Sequence, residues 1–168
     1  MKKITLIATA AFGLEAVVAR ELHDLGYPDT ENRNGEVLFT GTLQDIPRTN
    51  LWLRTSDRVL IEVGRFEART FDELFEGTKA LPWEDWIGEG DAFPVKGKAV
   101  RSTLMSVPDC QSIVKKAVVE RLKGRYRRDW FPETGPAHPI EVAVVKDEVR
   151  LTLDTSGWGL HKRGYRPS

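Results

Sequence analysis

Ten lysines and arginines fall within residues 96–128, against two acidic side chains, Asp109 and Glu120, a local net charge of +8. Lys115, Lys116, Arg121 and Lys123 recur at helical spacing. Arg125, Arg127 and Arg128 follow at once, and Lys96, Lys98 and Arg101 precede them on what reads as a strand and a loop. Cations gathered in this way neutralise phosphates and release counterions, so the chemistry they suggest is polyanion binding. Tyr126 and Trp130 lie among them and offer flat faces on which unpaired bases stack. The competing reading is a solvated helix face whose C-terminal cations favour the helix dipole. A net of +8 over so short a stretch tips the balance to the polyanion site. The whole chain is neutral, with −7 on residues 1–95 and −1 on residues 129–168. It is the local field rather than the total that steers a polyanion.

Other constellations are weaker. Asp154, Ser156 and His161 suggest a catalytic triad, but no G-x-S-x-G elbow accompanies them, and Asp154-Thr155-Ser156-Gly157 reads as a turn after a strand. His23, His138 and His161 are scattered away from one another and from the single cysteine, Cys110, so no metal site is expected. The acidic clusters Asp72/Glu73/Glu76 and Glu84/Asp85 read as solvated helix starts rather than acid–base pairs. Gly88-Glu89-Gly90 and Lys96-Gly97-Lys98 are too short to cradle a phosphate. Of the five tryptophans, Trp130 and Trp158 lie beside basic runs and are the two candidates for stacking.

The elements that must position these residues follow from periodicity. Met1-Lys2-Lys3 and the apolar run after it imitate a signal peptide, but an amphipathic segment carrying Glu15, Arg20 and Glu21 begins at once, and Ile4–Thr9 reads as a buried first strand. No window approaches the ~20 apolar residues that a membrane-spanning helix requires. Leu14, Val17, Val18, Leu22 and Leu25 mark one face of a helix over 12–25, closed by Gly26 and Pro28. Asn34-Gly35 predicts a hairpin turn into a strand over 36–40. A second helix spans 43–51, with Pro47 in its middle, and a long strand spans 58–68. That order, β-α-β-β-α-β, is the split βαβ ferredoxin-like arrangement.

A second unit begins at Thr70, with Glu73 as its capping partner and Phe71, Leu74 and Phe75 facing inward. A loop over 82–90 leads to a strand over 92–100. Pro108-Asp109 opens a helix whose apolar stripe is Cys110, Ile113, Val114, Ala117, Val118 and Leu122 and which Gly124 ends, placing Lys115, Lys116 and Lys123 outward and Arg121 at the stripe's border. Strands Ile140–Val145 and 148–153, joined through Lys146-Asp147, complete the unit. The residues after 157 carry His161, Lys162, Arg163 and Arg166 and no acidic side chain, which reads as the start of a linker.

The tail, Asp154-Thr155-Ser156-Gly157 and then Gly159-Leu160-His161-Lys162-Arg163-Gly164-Tyr165-Arg166, resembles a junction in methyltransferases that make N2-methylguanosine in large-subunit ribosomal RNA. In that family it joins the THUMP domain to the catalytic domain. Ala8-Thr9-Ala10, Gly13-Leu14-Glu15, Glu21-Leu22 and Leu25-Gly26 resemble the opening of the same proteins. The resemblance covers the whole chain. It implies an α+β protein with a ferredoxin-like domain over residues 1–66, a THUMP domain over 67–157, and a linker from 158 to a methyltransferase domain not contained here. It also implies a cytoplasmic setting and structured RNA, 23S-type ribosomal RNA, as partner. S-adenosylmethionine would belong to the catalytic domain, because these residues contain neither a glycine-rich cofactor loop nor an Asn/Asp-Pro-Pro-Tyr/Phe motif. The expected RNA contacts are Lys96, Lys98, Arg101, Lys115, Lys116, Arg121, Lys123, Arg125 and Arg128, with His161, Lys162, Arg163 and Arg166 guiding RNA or linking domains. A transfer-RNA enzyme, a free-standing protein-interaction module and a self-sufficient enzyme are the alternatives.

Overall fold

The computed structural model describes residues 3–155, an α+β chain that divides into two compact units. One takes the residues up to Glu62 and again from Asp154; the other is Val63–Leu153.

The first unit runs β1 (Ile4–Thr9), α1 (Glu15–Asp24), β2 (Thr30–Arg33), β3 (Glu36–Gly41), α2 (Asp45–Trp52) and the start of β4 (Val59–Glu67). Its strands lie in the order β2-β3-β1-β4, antiparallel throughout, the ferredoxin-like arrangement that the element order predicts. The turn between β2 and β3 falls at Asn34-Gly35, where Gly35 takes a φ of +79°. Gly26, at +104°, ends α1. Pro47 does not break α2, because it lies in the first turn, where backbone N–H groups have no partner within the helix.

Helix α1 is shorter than its apolar pattern suggests. Glu15 accepts hydrogen bonds from the N–H groups of Gly13 (2.9 Å) and Gly35 (2.8 Å), so residues 11–14 form a turn that the helix follows. Val18, Ala19 and Leu22 are buried, whereas Leu14 and Val17 are exposed. Val17 stands about 100° round the helix from Val18, outside the buried arc. Two more carboxylates hold backbone in this unit. Glu21 accepts from the N–H groups of Arg54 and Thr55, and Asp45 accepts from the N–H of Thr42 and the hydroxyl of Tyr27. Thr155 donates its hydroxyl to the Val59 carbonyl (2.6 Å), and Arg58 meets Asp154 at 3.0 Å, which seats residues 154–155 here.

The second unit contains α3 (Phe71–Lys79), a 3-10 turn (Trp83–Asp85), β5 (Val95–Val100), α4 (Val107–Tyr126), β6 (Ile140–Val145) and β7 (Glu148–Asp154). Strands β5 and β6 are parallel, joined by α4 as a parallel pair requires, and β6 and β7 are antiparallel. The turn between β6 and β7 is Lys146-Asp147, both at positive φ (52° and 66°), as a two-residue hairpin demands. Thr70 caps α3 by accepting from the Glu73 N–H. Cys110, Val114, Ala117, Val118 and Leu122 bury the predicted stripe of α4, and Trp83, fully buried, donates its indole N–H to the Thr78 carbonyl at 2.7 Å.

Three more boundaries or orientations differ from the sequence reading. Helix α4 runs through Gly124 to Tyr126 and ends on Arg127, which itself adopts the left-handed conformation (φ 56°) and donates its N–H to the Lys123 carbonyl. Phe71, the first residue of α3, is exposed rather than inward, and Leu74 and Thr78 form the buried face. Strand β5 begins at Val95, because Pro94 has no N–H for a ladder; Ala92 makes only an isolated bridge with Ala137.

Candidate nucleic-acid interface

Helix α4 carries most of the cations, and the loops around it supply carboxylates that sequence distance conceals. Lys115 is half-buried. Its ammonium donates to Glu133 (2.8 Å) and to the Phe93 carbonyl (3.0 Å) and lies 3.9 Å from the centre of the Phe93 ring. One turn and a half further, Arg121 grips Glu84 through two hydrogen bonds, from Nε (2.9 Å) and Nη2 (3.0 Å), and Arg125 reaches the same carboxylate at 3.0 Å. Lys123 pairs with Glu120 at 3.2 Å, and Arg128 with Glu89 at 3.0 Å. Glu84 is therefore no solvated helix start, as its sequence context suggested, but the shared anion of two arginines.

The electrostatics follow from these contacts. The hydrogen bonds from Arg121, opposed by burial, hold Glu84 below the usual glutamate pKa, and Glu84 in return pushes Arg121 up. Burial pushes Glu133 up, but the Lys115 ammonium and the Phe93 N–H together outweigh it and leave the carboxyl lowered. Burial, then the nearby carboxylates led by Glu84, push the Tyr126 phenol up, and its hydroxyl donates to the Ile87 carbonyl at 2.6 Å. Tyr126 is thus tied into the protein rather than offered to a base.

The remaining cations behave differently. Lys96, Lys98, Arg101 and Lys116 are exposed, and none meets a carboxylate among the described residues. Arg127, at the end of α4, and Lys146, in the β6–β7 turn, are exposed and unpaired in the same sense. They do not form one patch. On β5, Gly97 is the residue beneath α4, since a Cβ there would meet Gln111 and Val142 at 3.1 Å. Side chains alternate along a strand, so Lys96 and Lys98 point away from the helix. The expected continuation of the helix's patch onto β5 is corrected accordingly: α4's cations and the β5 lysines occupy opposite faces.

A second arrangement was not visible in the charge pattern. Arg101 follows β5 at positive φ (49°), and the loop after it is pinned to the β6–β7 turn. Lys146 donates its N–H to the Val100 carbonyl (3.0 Å), Asp147 its N–H to the Ser102 hydroxyl (3.0 Å), and Thr103 its N–H to the Asp147 carboxylate (2.7 Å). That last bond chiefly holds Asp147 below its usual value. Its only sequence signal is the positive-φ turn at Lys146-Asp147, which says nothing of the loop that docks on it.

Trp130 is 70% exposed and remains available for stacking. Trp158, His161, Lys162, Arg163 and Arg166 lie outside the described residues. Among the described residues, no group of three or more His, Cys, Asp and Glu is placed to hold a metal ion, and no helix is long and apolar enough to cross a membrane. His138 is buried and bonded to Asp91 at 2.9 Å.

Comparison with known proteins adds the family. Residues 5–60 match the RlmL ferredoxin-like domain and residues 68–154 match the THUMP domain. The chain is 57% identical over 168 residues to the putative RNA methyltransferase YpsC of Bacillus subtilis, covering 99% of this chain and 43% of that protein. It is 32% identical over 164 residues to the ribosomal RNA large subunit methyltransferase K/L of Syntrophotalea carbinolica, covering 97% of this chain and 23% of the relative. Among solved structures, a predicted N6-adenine-specific DNA methylase from Listeria monocytogenes superposes with a TM-score of 0.90 at 60% identity, over 99% of this chain and 44% of that one. The chain spans less than half the length of each of these proteins. Its matched domains, in their observed order, make it a member of the THUMP-domain family, with an RlmL-type ferredoxin-like domain ahead of the THUMP domain.

Proposed function

We propose that this chain is the RNA-docking region of an S-adenosylmethionine-dependent guanine-N2 methyltransferase that acts in the cytoplasm on 23S-type ribosomal RNA. Methyl transfer itself falls to a catalytic domain outside these residues. The observation that carries this reading is the THUMP match over residues 68–154. The ribosomal target follows the name of the Syntrophotalea relative, and RNA rather than DNA follows both curated relatives. In this reading the ferredoxin-like domain extends to residue 66, the THUMP domain covers 67–157, and residues from 158 begin the linker, where His161, Lys162, Arg163 and Arg166 guide RNA or join the domains.

The charge pattern supports the proposal less evenly than its sum suggests. Of the expected contacts among the described residues, Lys96, Lys98, Arg101 and Lys116 have free charges to offer phosphates. Lys115, Arg121, Lys123, Arg125 and Arg128 already lean on carboxylates. Phosphate contacts of this kind position an RNA without reading its sequence. The test is binding of ribosomal RNA transcripts across a salt series, with transfer RNA as competitor. Affinity should fall log-linearly with salt, and Lys96→Glu combined with Lys116→Glu should weaken it without unfolding the protein. A chain that binds transfer RNA more tightly has a different target, and one that binds no RNA at low salt has a different function. Incubated with S-adenosylmethionine and ribosomal RNA, these residues alone should give no methyl transfer.

A further inference from the structure

The exposed apolar residues of the first unit gather at one end of it. There β1 stops at Thr9, β4 starts at Val59, α1 begins and α2 finishes. Thr9 donates its N–H to the Arg58 carbonyl (2.9 Å), and its hydroxyl accepts from the Arg58 N–H (3.0 Å). Phe12, Leu14 and Val17, on the way into and along α1, are exposed, Phe12 by 83%; Leu51 and Trp52, at the end of α2, are exposed by 52% and 54%. The two groups are neighbours. Leu14, Val17 and Glu21 stand at three- and four-residue steps along one side of α1, and Glu21 accepts from the N–H groups of Arg54 and Thr55, just past Trp52. Scattered apolar residues on a surface are ordinary, but these are grouped, and Leu43 alone of the unit's exposed large apolar side chains, among the described residues, lies elsewhere.

The chain leaves its last described residues at this same end. Thr155 is buried; its hydroxyl donates to the Val59 carbonyl (2.6 Å) and accepts from the side-chain amide of Asn50 (3.1 Å), the residue before Leu51. Asp154 pairs with Arg58 at 3.0 Å. Residues 156–168 lie outside the described residues, and in sequence Trp158 comes three positions and Leu160 five positions after Thr155. An extended chain covers at most about 3.6 Å per residue, so Trp158 stays within about 11 Å of Thr155 and Leu160 within about 18 Å. The last turn of α2, which Asn50 ties to Thr155, is inside that radius.

The size of the surface decides what covers it. Phe12, Leu14, Val17, Leu51 and Trp52 make a small patch, whereas a stable interface between two proteins uses roughly 20–30 residues a side. A segment already tethered at Thr155 needs far less, because its association is intramolecular and costs no translational freedom. We propose that the segment after Thr155 docks on this end of the first unit, with Trp158 and Leu160 packed on Leu51, Trp52 and Val17. Apolar surface then leaves water on both sides of the contact. What the docking is for rests on the RNA-docking reading: a catalytic domain that follows the segment is held to the first unit, and Lys162, Arg163 and Arg166 join domains rather than guide RNA.

The experiment follows trypsin cleavage after Lys162 and Arg163 in the 168-residue chain by mass spectrometry. A docked segment is cut only while it is open, so the rate reports the open population. Leu51→Ala with Trp52→Ala should raise that rate about tenfold, the scale of one lost aromatic contact. Trp158→Ala should raise it equally, and the two changes together should raise it no further, because both remove the same contact. Leu43→Ala, at the other end of α2, should be cut as the parent is. Cleavage after Lys79, within α3, should keep the parent rate throughout, which shows that the fold is intact. Phe12→Ala with Val17→Ala is the second surface variant, should the α2 pair fail to fold. Equal rates in the parent and in the surface and Trp158 variants would overturn the proposal, as would effects that multiply, since Trp158 would then sit elsewhere. A parent that sediments as a dimer and becomes a monomer with Leu51→Ala and Trp52→Ala would give the surface to a second copy. None of these outcomes bears on RNA docking, which the salt series decides separately.

Discussion

The last turns of α4 and the corner at the end of β5 present comparable sets of cations, yet they put them to opposite uses. At the helix end, Arg121 and Arg125 share Glu84, Lys123 meets Glu120 and Arg128 meets Glu89, so every charge there but that of Arg127 is answered from within the protein. At the corner, the one carboxylate in the turn, Asp147, accepts from the Thr103 N–H and from Arg69, and Lys98, Arg101 and Lys146 are left over. The difference teaches that a count of basic residues measures neither binding nor stability. What matters is where the nearest carboxylate spends its lone pairs. A cation held by a partly buried carboxylate supports the fold; one left beside a committed carboxylate is available to a ligand.

If that distinction holds, stability should respond at the helix end and binding at the corner. The largest effect should come from Glu84→Ala, which strands two arginines. A loss of about 3 kcal/mol in urea denaturation is expected, the lower range for breaking a buried charge pair, since Glu84 is only mostly buried. A loss below about 0.5 kcal/mol would mean that the pair is no different from an ordinary surface bridge.

The next effect is a pH dependence. Because the folded-state pKa of Glu84 is lowered from 4.5, its contribution is complete above that value and disappears as pH falls through the folded pKa. The urea midpoint of the parent should therefore drop on acidification below about pH 4.5, and Glu84→Gln should flatten that part of the curve relative to the parent. Parallel curves for the two proteins would remove Glu84 from the acid limb.

A smaller effect belongs to Lys115. A double-mutant cycle of Lys115→Met and Glu133→Gln should yield a coupling of about 1 kcal/mol, the upper range for a partly exposed pair. Zero coupling would return Lys115 to the pool of cations free to meet RNA. The smallest effect should be at the corner, where Lys98→Ala should change stability by no more than about 0.5 kcal/mol. A larger loss would show that Lys98 has a packing role and blur the contrast from which these expectations derive.

Much of the fold was legible from one dimension. Alternation marked the strands, three- and four-residue steps marked α1 and α4, and Asn34-Gly35, Gly26, Thr70 and Lys146-Asp147 placed turns and caps, because each of these signals depends on neighbours a few residues away. Its failures were local contests that a neighbour in space decided. Glu15 captured the backbone of Gly35 and trimmed α1, and Arg127 rather than Gly124 took the left-handed position that ends α4. The candidate site was legible only as a list. The cations could be named, and the resemblance named the family, but their grouping could not be read.

By itself, then, the amino-acid sequence determined the order and type of the elements, the apolar stripe of α4 and the excess of positive charge in residues 96–128. Only the tertiary structure decided which of those charges remain free. Arg121 and Glu84 stand 37 residues apart and Lys115 and Glu133 stand 18 apart. Strand alternation, with Gly97 beneath α4, turned Lys96 and Lys98 to the other face. Coulomb and hydrogen-bond energies depend on distances in space, which chain order constrains only within a turn or two.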